Sequence, residues 1–338
     1  MSLASALKTR DPAELPGRRD EDWRWTDLRA LIRVLPPESP AVSTVAANPA
    51  LDGLPAAEVH ANGRILAPLS KPKVRRFVSA SDGHAHHAEA PFNVPAHDQA
   101  VVIDSFEGQA SGYVADARAL IRVGEGARLE RLVLLDDATD AISVSLTEVE
   151  LAAGASFHQT VLATGAKRQR FETRVRHLGP GASVQLDGLY LLDGQRHSDQ
   201  TTLVDHETLN GVTSQLTKGI AADQARGVFQ GRIVVAKGAD GADARMGHHA
   251  LILSDRAEID AKPELEIYAD DVSCAHGNTV GALDEDALFY ARSRGIPEAE
   301  ARALLIGAFL GEVVDRIGDD QARDLARAWL AKRLGTEA

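Results

Sequence analysis

The 338-residue chain holds a single cysteine, Cys274, two positions before His276 in the stretch "DDVSCAHGNTVG". Thiolate and imidazole are the side chains that hold zinc and iron–sulfur clusters, so the pair has the chemistry for a soft-metal site. If residues 272–276 continue as a strand, Val272, Cys274 and His276 share one face with neighbours about 7 Å apart, and both ligands address one point. The same alternation supports a plainer reading, in which Val272 marks the face as inward, Cys274 is a small buried hydrophobe and His276 is hydrogen-bonded at a strand end. A cluster or tetrahedral metal wants about four ligands. With no second cysteine, a site on this motif must be completed by another chain or stay half made.

The remaining histidines offer less. His84, His86 and His87, in "HAHH", sit among Gly, Ala and acidic residues without apolar pattern, which suggests a solvated loop or, as the sharper alternative, an adventitious metal site. His248 and His249 adjoin "ALILS". Successive strand residues point to opposite faces, so one is expected inward or at an interface and the other solvated. His158, His177, His197 and His206 show no ligand spacing. No G-x-x-x-x-G-K-[ST] loop or G-x-S-x-G elbow occurs, and "GEGARL" lacks the third glycine of a dinucleotide fingerprint, so nucleotide hydrolysis is left to a partner.

Composition narrows the setting. A net charge of −12 argues against nucleic acid as the main partner, because phosphate binding needs a basic face. One cysteine allows no intrachain disulfide and fits a reducing compartment. No run reaches the roughly 18 apolar residues of a membrane span. The N-terminus has a short apolar patch followed by acidic residues, unlike a secretory leader. The expectation is a cytoplasmic protein with no membrane partner.

Three textures must position these residues. In 19–35, Trp25, Leu28, Leu31, Ile32 and Leu35 recur at helical spacing, with Asp20, Glu21 and Asp22 in the first turn, which predicts a helix ended by "PPESP". An irregular Pro- and Ala-rich linker with a few strands follows. From about residue 98 to 283 short alternating runs dominate: Ile142, Val144 and Leu146, then Val184 and Leu186, Leu189 and Leu191, Leu265 and Ile267. These predict strands with one buried side. Gly-Ala recurs at Gly126, Gly154 and Gly181, after 28 and then 27 residues, the period of a stacked coil unless the dipeptide repeats by chance. Beyond it, Asp284 can cap a helix that Gly295 stops, and Pro297 opens the next, whose apolar stripe is Ala301, Leu304, Leu305, Ala308, Phe309 and Val313. A last helix carries Leu325, Trp329 and Leu330.

Residues 262–296, from "KPELEIYADDVSCAHGNTVG" through "LFYARSRGI", resemble the C-terminal signature of the SufB/SufD family of iron–sulfur cluster assembly scaffolds, and "DEDWRWTDL" resembles its N-terminal signature. The lone cysteine is similar to the SufD side of that family. The resemblance implies a mainly β fold: a right-handed parallel β-helix core, 66–283, with a small helical N-terminal region and linker, 1–65, and a C-terminal helical domain, 284–338. It implies a non-catalytic scaffold that pairs with a SufB-like subunit and a SufC-like ABC ATPase. A transient iron–sulfur cluster or iron would sit at the interface, with His276 the principal ligand, Cys274 the weaker one, and none bound by the isolated chain. The ATPase would dock around Phe289 to Glu312, including Phe289, Tyr290, Arg292, Arg294, Gly295 and Phe309. Without partners, self-association as a homodimer is expected. The competing classes are a homodimeric structural protein and a β-helix polysaccharide-active enzyme using Asp270, Asp271 and Lys262.

Overall fold

The computed structural model describes residues 2–336. Short alternating runs punctuated by turn residues give strands of mostly ten residues from Gln99 onward. From Gln99 onward consecutive strands fall alternately into two sheets of ten and eight strands, and every pairing between strands is parallel except Ala57–Ala61 with Arg64–Ala67. The chain therefore winds as a parallel β-helix of about seven turns, with a few helices at its C-terminus.

One corner explains the Gly-Ala spacing. His97, Gly126, Gly154, Gly181, Asn210 and Gly241 all have left-handed φ, from 57 to 76°. Each donates its amide to a carbonyl one coil further on: Glu125, Ala153, Pro180, Leu209, Asp240 and Asp271, at 2.7–3.0 Å. The alanines after the three glycines, Ala127, Ala155 and Ala182, are buried in the core. The repeat is thus structural, and it continues where Asn210 and His97 take over a conformation that Gly otherwise supplies.

Alternation reads only half of each strand's burial. Val184 and Leu186 belong to the core inside the coil, whereas Leu189 and Leu191, further along the same strand, lie on its outer face under the C-terminal helices. Ile142 and Val144 also face outward, covered by Leu3, Leu15, Leu28 and Leu35 of the N-terminal segment. The interior is partly polar. Arg75 and Arg131 both bond Asp104, and Arg131 continues to Thr147 and Gln159 at 2.9 and 2.8 Å. Burial opposes the Asp104 charge, but the two guanidiniums outweigh it and hold that carboxyl below the usual carboxylate range.

The helices are α1 (Leu3–Thr9), α2 (Leu28–Leu31), α3 (Glu285–Ser293), α4 (Glu298–Val314) and α5 (Asp320–Leu334). Two sequence expectations are corrected here. The helix expected over 19–35 shrinks to the single turn of α2 and a 3₁₀ turn at Glu21–Trp23. The β-helix takes its hydrogen bonds: Arg170 donates to the Asp22 carbonyl at 2.7 Å, and His197 Nε2 meets the Trp25 carbonyl at 3.0 Å. The Arg29 amide correspondingly donates to Pro16 rather than to Trp25. In α4 the buried face is Ala301, Ile306, Leu310, Val313 and Val314, which rotates Leu304 and Ala308 out to solvent. That helix is apolar on most of its circumference, so period alone does not choose the face that meets Leu162, Leu189 and Leu216.

Candidate functional site at the open end of the coil

Ser273–Gly281 is the last strand of the ten-stranded sheet and pairs on one side only, with Asp243–Ile252. Glu258–Ile267 is likewise the last strand of the other sheet. The register sets Cys274 on Ala244, His276 on Met246 and Asn278 on His248. Ala244, Met246 and His248 are buried at 0%, 2% and 0% exposure. Cys274 and His276 therefore prolong inward columns of the core at a level where, among the described residues, no further coil covers them. Cys274 is half-buried against the core with Val272 and Leu265, while His276 is exposed. The shared alternation of Val272, Cys274 and His276 falls on the inward face, and that face opens to the outside.

The chemistry of the two side chains differs. Burial pushes the Cys274 thiol up, the Ala244 backbone opposes this and Asp243 adds to it, so the thiol stays protonated at neutral pH. Imidazole needs no such deprotonation to act as a ligand. Among the described residues, no group of three or more His, Cys, Asp or Glu side chains could hold a metal ion. What this end presents is two ligand types and three exposed apolar side chains on the last strands and the segment after them, Ile267, Tyr268 and Val280, at 41%, 62% and 43%.

The "HAHH" stretch is not a solvated loop. Ala85–Glu89 is a strand paired with Val114–Val123, because its neighbours in the coil supply partners that sequence pattern cannot display. His86 lies between the Ser39 and Ser79 hydroxyls, 3.3 Å from each, and burial lowers it to about 4. His87 bonds Asp116 at 2.6 Å and is raised by that contact. His248 points inward and His249 outward, where it meets Thr279 at 2.7 Å. One pair went unseen in the sequence: His177 and His206, with rings stacked 4.3 Å apart inside the coil. They are register partners 29 residues apart, and only the coil period could have brought them together.

The residues expected to meet an ATPase lie in two settings. Phe289 and Tyr290 on α3 are 73% and 61% exposed, and Leu304 of α4 is 50% exposed. Arg294 covers the Tyr290 ring at 5.1 Å, Arg292 meets Glu298 at 3.4 Å, and Gly295 makes the turn at φ 87° with open space around it. Phe309 is different: it faces the sheet beneath the Lys218 ammonium, 4.4 Å above its ring. Of the residues weighed for a polysaccharide site, Asp270 and Asp271 are exposed, and Lys262 is engaged outward with Glu21 at 2.7 Å and Glu264 at 3.2 Å. Through that contact "DEDWRWTDL" reaches the terminal coil. The segment crosses the outer face of the eight-stranded sheet, with the Arg170 guanidinium 4.4 Å from the Trp23 ring and Arg232 3.2 Å from Asp22. Among the described residues no helix is long and apolar enough to cross a membrane.

Residues 77–309 match the family described as SUF system FeS cluster assembly, SufBD core domain. The chain is 29% identical over 268 residues to the iron–sulfur cluster assembly protein SufD of Escherichia coli, covering 79% of this chain and 63% of that one. It is 33% identical over 197 residues to a SufBD family protein of Synechocystis, covering 58% and 44%. A SufBD family protein of Mycobacterium bovis aligns over 362 positions at 28% identity, covering 96% and 90%. The chain thus spans less than two thirds of the length of the first two relatives.

Proposed function

Because the chain belongs to the SufB/SufD family of the SUF system, and is of the SufD type, we propose that it is a non-catalytic scaffold subunit for iron–sulfur cluster assembly. In this reading it pairs with a SufB-like subunit through the open end of its β-helix. The observation that carries the proposal is that end itself: two terminal strands each paired on one side only, with Cys274 and His276 on the inward face between them. Unpaired strand edges are templates for another chain, and the exposed Ile267, Tyr268 and Val280 supply apolar area to bury. A partner's strands would extend the inward columns, covering His276 and placing its ring nitrogen beside ligands of the other subunit. The cluster or iron is cargo here. His276 offers an imidazole nitrogen ligand, whereas Cys274 must first lose a proton that its surroundings retain.

The exposed Phe289, Tyr290 and Leu304 surface on α3 and α4 is the reading's docking face for a SufC-like ABC ATPase, which supplies the nucleotide chemistry this chain has no loop for. A cytoplasmic setting follows from the same reading. Mixing the chain with SufB-like and SufC-like proteins, followed by size-exclusion chromatography, tests it. A heteromeric complex is expected. A chain that remains a homodimer or monomer in the presence of both partners would reject the proposal and leave the structural homodimer in its place.

A further inference from the structure

We propose that Tyr190, His248 and Asn278 form a positioning chain that fixes the terminal strand from inside the core, and with it the direction in which Cys274 and His276 are presented. The His248 ring is wholly buried and lies flat on Phe229, with centroids 4.8 Å apart and planes 1° apart. Its Nε2 meets the Tyr190 hydroxyl at 2.9 Å and its Nδ1 meets Asn278 Oδ1 at 2.7 Å. An amide oxygen only accepts, so Nδ1 carries the proton and Nε2 accepts from the tyrosine hydroxyl. Burial, assisted by the neighbouring His249, keeps the ring neutral by lowering it to about 4 against the Asn278 hydrogen bond.

Space is set aside for this chain. A Cβ on Gly219 would lie 1.9 Å from the Tyr190 ring, and one on Gly227 would lie 2.5 Å from it. A Cβ on Gly231 would meet Met246 Sδ at 2.1 Å and the Phe229 ring at 2.9 Å. None of these three glycines has a positive φ, so each is small because Tyr190, or Met246 with Phe229, occupies its side-chain volume beside His248.

The terminal strand needs such a device. It has ladder hydrogen bonds on one side only, and a strand end of that kind opens at low free energy. Asn278 sits two residues beyond His276 on the same inward face. A one-residue slip would swing Asn278 outward and leave the buried His248 Nδ1–H without its acceptor, a penalty of about 1–3 kcal/mol. The chain thereby opposes the one-residue slip that would also turn Cys274 and His276 outward. Its relevance to cluster assembly rests on the function proposed above, but the ordering of the strand does not.

The test uses the full-length chain. His248→Gln keeps an amide donor and a carbonyl acceptor, and His248→Leu keeps neither. Hydrogen exchange of the amides of residues 274–280 is expected to quicken about tenfold in the leucine variant, the equivalent of one net hydrogen bond. Strand Ser183–Leu192 should keep its protection, and the glutamine variant should restore most of the loss. Long-range ¹H–¹⁵N correlation of the His248 ring should read the Nδ1–H tautomer. Unchanged protection in His248→Leu, or equal loss in both variants, overturns the proposal, the latter because it would leave only ring packing. Should His248→Leu fail to fold, Asn278→Ala on the exposed strand gives the same readout, and unchanged exchange there is equally fatal. Cluster yield of His276→Ala in the partner complex separates the two ideas: normal yield removes the interface site while the exchange result stands.

Discussion

Replacing His177 by phenylalanine should flatten the acid limb of the stability curve. His177 and His206 are wholly buried and stacked 4.3 Å apart, and the one polar group that eases the His177 charge is the Ala182 backbone, which burial outweighs. Burial, reinforced by His206, lowers His177 from its ordinary 6.5 to about 3. The folded value lies below the unfolded one, so between pH 6.5 and about 3 the unfolded chain binds a proton that the folded chain refuses. Stability from neutral His177 is therefore complete above 6.5 and lost as the pH falls through that window. The slope is about 1.4 kcal/mol per pH unit, which amounts to about 2 kcal/mol by pH 5. Phenylalanine fills nearly the same volume and does not titrate, and its cost at pH 7 should stay below about 1.5 kcal/mol. Urea unfolding of both proteins at pH 7, 6 and 5 provides the comparison, in which the carboxylates and the histidines not in contact with His177 cancel. The variant should gain about 2 kcal/mol on the parent between pH 7 and 5. A difference constant across that range would mean that His177 titrates as it does in the unfolded chain, and the burial argument would fail.

Gly219→Ala should lower the melting temperature more than Gly154→Ala. The first places a methyl group 1.9 Å from the Tyr190 ring, for about 1–3 kcal/mol or more of overpacking, while the second meets nothing closer than 4.0 Å and costs about 1–2 kcal/mol of left-handed strain at φ 61°. The reverse order in a thermal melt would contradict the packing described around Tyr190. Phe289→Asp should leave the melting temperature unchanged, since the ring is 73% exposed, and should abolish binding of the ATPase partner in calorimetry. Retained affinity would move the docking face away from α3.

Much of this was legible in the sequence because the fold is periodic. Gly126, Gly154 and Gly181 announced the coil, since a turn that needs φ near 60° favours Gly. The coil's continuation was hidden where Asn210 and His97 adopt the same conformation without the glycine. The signature around Cys274 and His276 was legible, but its setting was not. That an inward-facing pair lies open to the outside depends on the absence of a further coil, which no local pattern encodes. The N-terminal segment misled because helical spacing at 25–35 reports burial on one side, and burial here comes from a sheet that also claims the Asp22 and Trp25 carbonyls. His177 and His206, Tyr190 and His248, and Lys262 and Glu21 were invisible for one reason: each pair is joined only by the stacking of coils or by a segment returning across them.

The central claim is that this chain supplies half of a cluster-assembly site through His276. The direct measurement is the yield of iron–sulfur cluster, read by visible absorption and iron content, from a reconstituted complex with SufB-like and SufC-like proteins carrying either the native chain or His276→Ala. The variant should fold, since His276 is exposed and no core contact depends on it, and should enter the complex. Its cluster yield should fall to background, with Cys274→Ser losing less. Normal yield from His276→Ala would contradict the account, and a greater loss from Cys274→Ser would reverse the roles of the two residues.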